Sequence, residues 1–217
     1  CHLLLIVKLP IILEHKIHHS LVSRHYHLEL AGDKGMVNLM LENDGKFSDK
    51  EQMALTIWGQ MLRNRLFAIV REQESATYGV NVDANCTTFP YRKATLMVGF
   101  ETQRDKVERM KEIIYNELER SKDELFSESE LSRILISIRR MQDQQGENIG
   151  IDYWMNVLNT YAESKVDATN HKAFDKMLES MTVEDVRNAA RKFLKNVKVR
   201  DWVIKSEEVN PLSDWEK

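Results

Sequence analysis

The sequence predicts an α+β fold, a two-layer sandwich in which helices pack on one face of a mostly antiparallel sheet. Three observations predict it. Apolar residues alternate with a period of two in a few short stretches, and they recur at three- and four-residue steps in several longer ones. Only 8 Gly and 3 Pro punctuate the 217 residues, so loops are few and helices many. The resulting order is strand, helix, hairpin, several helices, strand, with the helices segregated from the strands.

The first strand is KGMVNLMLE, residues 34–42, where Val37, Leu39 and Leu41 alternate with Met36, Asn38 and Met40. NDG turns the chain. Ser48 and Glu51 then have the spacing of a capping box, in which the serine oxygen and the glutamate carboxylate each satisfy an orphan amide. Leu55, Trp58, Leu62, Leu66 and Ile69 form the stripe of a helix running to about residue 70. Residues 77–85 alternate again, with Tyr78, Val80, Val82 and Ala84 on one face. After a turn near Pro90, Ala94, Leu96, Val98 and Phe100 share a face of a second strand, which makes the pair a hairpin.

Residues 104–119 predict a helix on the stripe Val107, Met110, Ile114 and Leu118. Ser127 and Glu130 repeat the capping-box spacing and open a long helical stretch that Gly146 and Gly150 interrupt. IDYWMNVLNTY resumes it, with Trp154, Val157, Leu158 and Tyr161 expected to face inward. A short helix covers 174–178. Thr182, followed by Glu184 and Asp185, starts another that ends near Leu194. VRDWVIK, residues 199–205, closes as a strand.

Composition excludes several function classes. A net charge of -3 and pI near 6.2 argue against a nucleic-acid partner. No apolar run reaches the length of a membrane span. Cys1 and Cys86 form neither a disulfide framework nor a C-x-x-C metal spacing. The opening CHLLLIVKLPIIL looks like an export segment, but Lys8 and Pro10 break it and it lacks a basic start. Cys1 would suit a lipidated terminus, yet apolar residues follow where a polar tether is expected; a trimmed or fragmentary start fits better. The organisation expected is a His-rich leader over 1–34, one domain over 35–205 and a tail over 206–217.

Six of the 7 histidines fall in that leader: His2, His15, His18, His19, His25 and His27. His25 and His27 share a strand face, a spacing able to hold a metal, with Glu14 and Glu29 nearby. No H-x-x-E-H or H-E-x-x-H accompanies them, so no metal or other cofactor is expected in this chain. G-x-S-x-G is absent, Cys86 has no histidine close in sequence, and DQQGENIG lacks the strand and lysine of a phosphate loop.

Arg71 and Tyr78 remain. A permanently charged fork of donors and a neutral phenol, converging from a helix end and a strand start, would suit an oxygen that turns negative during amide hydrolysis. The same residues also fit a plainer account. Arginine is favoured at a helix C-terminus by the dipole, and a tyrosine sharing a face with valines is commonly core.

The order of words resembles the pitrilysin/insulinase family of zinc metallopeptidases, which includes the mitochondrial processing peptidases. VNLMLENDGKFSDKEQMALTIWGQMLRNRLFAIVREQESATYGVNV is similar to the family's strand and helix followed by its R-x(6)-Y segment. KATLMVGFETQRDKVERMKEIIYNEL, SESELSRILISIRRMQDQQGENIGIDYWMNVL and MTVEDVRNAARKFLKNVKVRDWVI resemble the elements that follow. The likeness covers residues from about 35 to 205. It implies a final, zinc-free domain, with Arg71 and Tyr78 on the positions that reach the active site when two halves close around an unfolded peptide. It also implies a partner half bearing zinc, fused or separate, an isolated chain without activity of its own, and a bacterial periplasmic location. The alternative is a non-proteolytic scaffold or peptide-binding subunit of the same fold.

Overall fold

The computed structural model describes residues 21–28, 33–74, 79–87, 91–147, 150–164 and 171–206. They form five strands and six helices: β1 Leu21–Leu28, β2 Gly35–Asn43, α1 Asp49–Glu74, β3 Val80–Thr87, β4 Lys93–Thr102, α2 Val107–Asp123, α3 Glu128–Glu147, α4 Ile151–Ser164, α5 His171–Glu179, α6 Val183–Lys195 and β5 Lys198–Ser206. One 3-10 turn, Arg104–Lys106, leads into α2.

The strands make a single sheet in the order β1-β5-β2-β4-β3. β1 runs parallel to β5, and every other pairing is antiparallel. Alternation decides which face is covered. Val37, Leu39 and Leu41 of β2 are buried beneath the helices, and Val98, Val203 and Val199 lie beside them in register. The opposite face carries Met36, Asn38 and Met97, which are exposed. The helical layer is α1, α2 and α6 packed on one another, with α3 against α1. Trp58 of α1 and Phe193 of α6 meet at 5.8 Å between ring centroids in the centre of that layer.

The two capping boxes read from sequence are formed. The Ser48 amide donates to Glu51 Oε2 at 2.7 Å, and the Glu51 amide donates to Ser48 Oγ at 3.3 Å. The Ser127 amide donates to Glu130 Oε2 at 2.8 Å and the Glu130 amide to Ser127 Oγ at 3.2 Å. A third box at α6 uses aspartate, with the Thr182 amide donating to Asp185 Oδ2 at 3.0 Å.

Four elements differ from expectation. β1 joins the sheet from within the leader, where the absence of clean alternation in LVSRHYHL concealed it. α1 continues to Glu74, past residue 70. α3 runs through Gly146, because one helical glycine costs only about 1 kcal/mol, and the helix ends instead before 148–150. On α4 the correction is larger: Trp154, Leu158 and Tyr161 are exposed rather than inward, and only Val157 of the expected set is half-buried. Tyr153 and Val157 of this helix are half-buried.

Candidate functional site

The candidate site lies at the corner between α1 and β3. Arg71 occupies the last turn of α1 and is exposed. A cation there is favoured by the partial negative charge of the helix C-terminus. Tyr78 lies outside the described residues, so the distance between the two side chains is not defined. What is defined is the end of α1 that carries Arg71 and the start of β3. Gly79, directly after Tyr78, has φ +151°, a conformation that side-chain-bearing residues rarely adopt. β3 begins at Val80 and is buried from its first residue.

α1 and β3 are held unusually close. A Cβ built on Gly59 of α1 would sit 2.6 Å from Ala84 Cβ of β3. Only a glycine on the helix facing an alanine on the strand permits that approach. The spacing fixes how the end of α1 and the start of β3 face each other. Arg71 is carried by this pair of elements.

Behind the corner, α1 is tied to α2 and α3 by an ionic network. Arg65 Nε donates to Glu130 Oε1 at 3.2 Å and Arg65 Nη1 to the buried Glu117 at 3.4 Å. Its guanidinium also stacks 4.0 Å from the Phe126 ring centroid, a cation–π contact. Arg120 donates to the other Glu117 oxygen at 2.9 Å. Burial by itself would raise the Glu130 carboxyl, but hydrogen bonds from Arg65 and Ser127 outweigh it and bring the group down to about 2.

A second cluster escaped the sequence reading because its members are more than 80 residues apart. Lys111 of α2 donates to Asp201 of β5 at 2.5 Å, and both are buried. Tyr115 lies close by; burial, with the Asp201 charge second, pushes its phenol well above the usual range. Glu42 is likewise buried and accepts from Lys93 at 2.5 Å, with Arg200 paired to its second oxygen. These pairs lie within the fold, away from the α1–β3 corner, and among the described residues Asp201 Oδ1 has no hydrogen-bond partner.

The histidine cluster does not assemble into a metal centre among the described residues, which hold no group of three metal-ligating side chains. His2, His15, His18 and His19 lie outside the described residues, as does the His27 side chain. His25 is on β1; burial, then Lys111, lowers its pKa, with Lys205 in the same direction and the Asp201 and Glu108 carboxylates opposing. The Cys86 thiol is pushed up to about 11 by burial, which makes it a poor nucleophile. No helix among the described residues is long and apolar enough to cross a membrane.

The architecture defines the class. The fold is similar to part of the periplasmic protease PqqL from Escherichia coli, at TM-score 0.74 and 19% identity over 87% of this chain and 21% of that one. The ferredoxin protease FusC, solved in complex with Arabidopsis ferredoxin, matches at TM-score 0.71 and 9% identity, covering 87% of this chain and 20% of that one. A peptidase M16 inactive domain from Pseudomonas fluorescens matches at TM-score 0.67 and 18% identity over 88% and 44% of the two chains. The chain belongs to the peptidase M16 inactive-domain family, whose model matches residues 15–138, more than half of it. No curated protein matches it. The chain spans between a fifth and under half of these solved relatives.

Proposed function

We propose that this domain closes the peptide chamber of a zinc endopeptidase and contributes Arg71 and Tyr78 to the carbonyl oxygen of the peptide being cut. The observation that carries the reading is the placement of Arg71: exposed, in the last turn of α1, on a helix locked to β3 through Gly59. An exposed guanidinium can meet a second half, whereas a core arginine could not. The companion half would supply the zinc and its water. This chain's contribution is to hold donors where negative charge grows, and to exclude water when the two halves close. Unfolded peptides small enough to be enclosed are the substrate class.

The test uses the complex of this chain with its zinc-bearing half. Arg71→Ala or Tyr78→Phe should lower kcat by about 10- to 1,000-fold with little change in KM, the signature of an interaction made in the transition state. Unchanged turnover in both variants removes the role and leaves the scaffold alternative.

A further inference from the structure

Arg71 sits at the end of a lever. It lies twelve residues along α1 from Gly59, the point where the helix is pressed onto β3. At about 1.5 Å per residue the lever is about 18 Å long. A tilt of about 5° at the Gly59 contact would therefore carry Arg71 about 1.5 Å sideways, and a misplacement of about 1 Å can cost about a hundredfold in rate. Leu66 and Val70 bury the far part of the helix, but apolar contacts have no preferred direction.

Arg65, about 9 Å before Arg71, supplies direction. Its guanidinium uses each of its three nitrogens. Nε and Nη2 donate to the two oxygens of Glu130 on α3 at 3.2 and 3.3 Å, and Nη1 donates to Glu117 on α2 at 3.4 Å. A fork meeting a carboxylate through two bonds fixes an orientation as well as a separation. The Phe126 ring closes one face of the guanidinium.

The acceptors are themselves held. Ser127 donates to Glu130 Oε2 through both its amide and its Oγ, each at 2.8 Å. Arg120 donates to the second oxygen of Glu117 at 2.9 Å. Loss of Arg65 would thus leave neither carboxylate without a donor, which avoids the penalty of an orphaned buried charge. Ionic networks of this kind contribute little net stability beside an apolar replacement of similar size. What an apolar replacement cannot supply is the aim of the helix.

We infer that Arg65 is a positioning residue, whose fork to α2 and α3 sets the direction in which α1 presents Arg71 to the companion half. This inference rests on the reading that Arg71 meets the carbonyl of the peptide being cut.

The experiment compares the parent, Arg65→Lys, Arg65→Met, Arg71→Ala and the Arg65→Lys, Arg71→Ala double variant, each in the complex with the zinc-bearing half. Lysine keeps the charge without the planar fork, and methionine keeps only an apolar stem. Both Arg65 variants should lower kcat about tenfold with KM within about twofold of the parent. In the Arg71→Ala background, Arg65→Lys should change kcat by less than about twofold, because the group it aims is gone. Amide exchange in the last two turns of α1 should quicken in Arg65→Lys while residues 50–60 stay as in the parent. An equal loss of kcat in both backgrounds would mean a general structural effect and overturns the inference. Parental kcat, or unchanged exchange at the helix end, in Arg65→Lys overturns it too, while a crippled Arg71→Ala leaves the catalytic reading standing. Parental turnover in Arg71→Ala sinks the catalytic reading itself and takes the positioning role with it.

Discussion

Gly59→Ala is the sharpest test of the corner geometry. The new methyl would lie 2.6 Å from Ala84 Cβ and 3.3 Å from the Ala84 backbone nitrogen. Carbon atoms prefer about 3.5–4.0 Å, so the overlap is about 1 Å. Neither neighbour can swing aside, since one is a methyl on a central stretch of β3 and the other is main chain. The helix must lift off the strand, at a cost of about 1–3 kcal/mol for an overpacked contact. Alanine regains about 1 kcal/mol of helix propensity over glycine, leaving a net loss of about 0–2 kcal/mol. A double-mutant cycle in urea isolates the clash. Adding Ala84→Gly removes the opposing methyl, and the coupling between the two sites should be about 1 kcal/mol or more. If Gly59→Ala stabilises the protein by the full propensity gain, with no coupling to residue 84, the close approach of α1 and β3 is refuted.

Three further outcomes are expected. Gly79→Ala forces an unfavourable φ where the added Cβ itself meets nothing within 4 Å, so about 1–3 kcal/mol of strain should appear in urea unfolding without a change in m-value. The Glu130 carboxyl is held down at about 2, below its ordinary value of 4.5, so its contribution is present above about pH 4.5 and fades as pH falls toward 2; Glu130→Gln should flatten the acid limb of stability measured between pH 7 and pH 3, and an unaltered limb contradicts the network. Lys111→Met leaves the buried Asp201 charge uncompensated and should cost about 3–5 kcal/mol, whereas Lys111→Met with Asp201→Leu should recover most of it; equal loss in single and double variants would mean the pair is not a closed ionic unit.

The sequence made the sandwich legible because β2, β4 and α1 each present one clean period to the core. Val37, Leu39 and Leu41 on one side, and Leu55, Trp58, Leu62 and Leu66 on the other, are all buried as alternation and helical spacing require. The two early capping boxes were equally local and equally readable. What escaped was non-local. β1 is an edge strand without a strict apolar face, and its partner β5 is some 178 positions away in register, Leu21 against Val199. Burial of Lys111, Asp201 and Glu42 depends on partners on other elements, which periodicity along the chain does not encode. α4 fails in the opposite sense: its apolar residues obey the core pattern, yet Trp154, Leu158 and Tyr161 are exposed. At the candidate site, Arg71 was legible as a donor type at a helix end. The companion Tyr78 lies outside the described residues, and Gly79 gave its conformational role only once its φ was known.

The sheet's strand order has a consequence for biosynthesis. β5 lies between β1 and β2, and pairs with both. A ribosome emitting this chain delivers β2, β3 and β4 early, and the strand that must slot into the middle emerges about 150 residues after β2 and about 100 after β4, once all six helices are out. Until then the β2 flank is a bare row of amides and carbonyls, the kind of surface that recruits stray strands or a chaperone. A nascent chain stalled just before Lys198 should therefore be sticky and protease-sensitive, and it should become resistant once the next nine residues clear the exit tunnel.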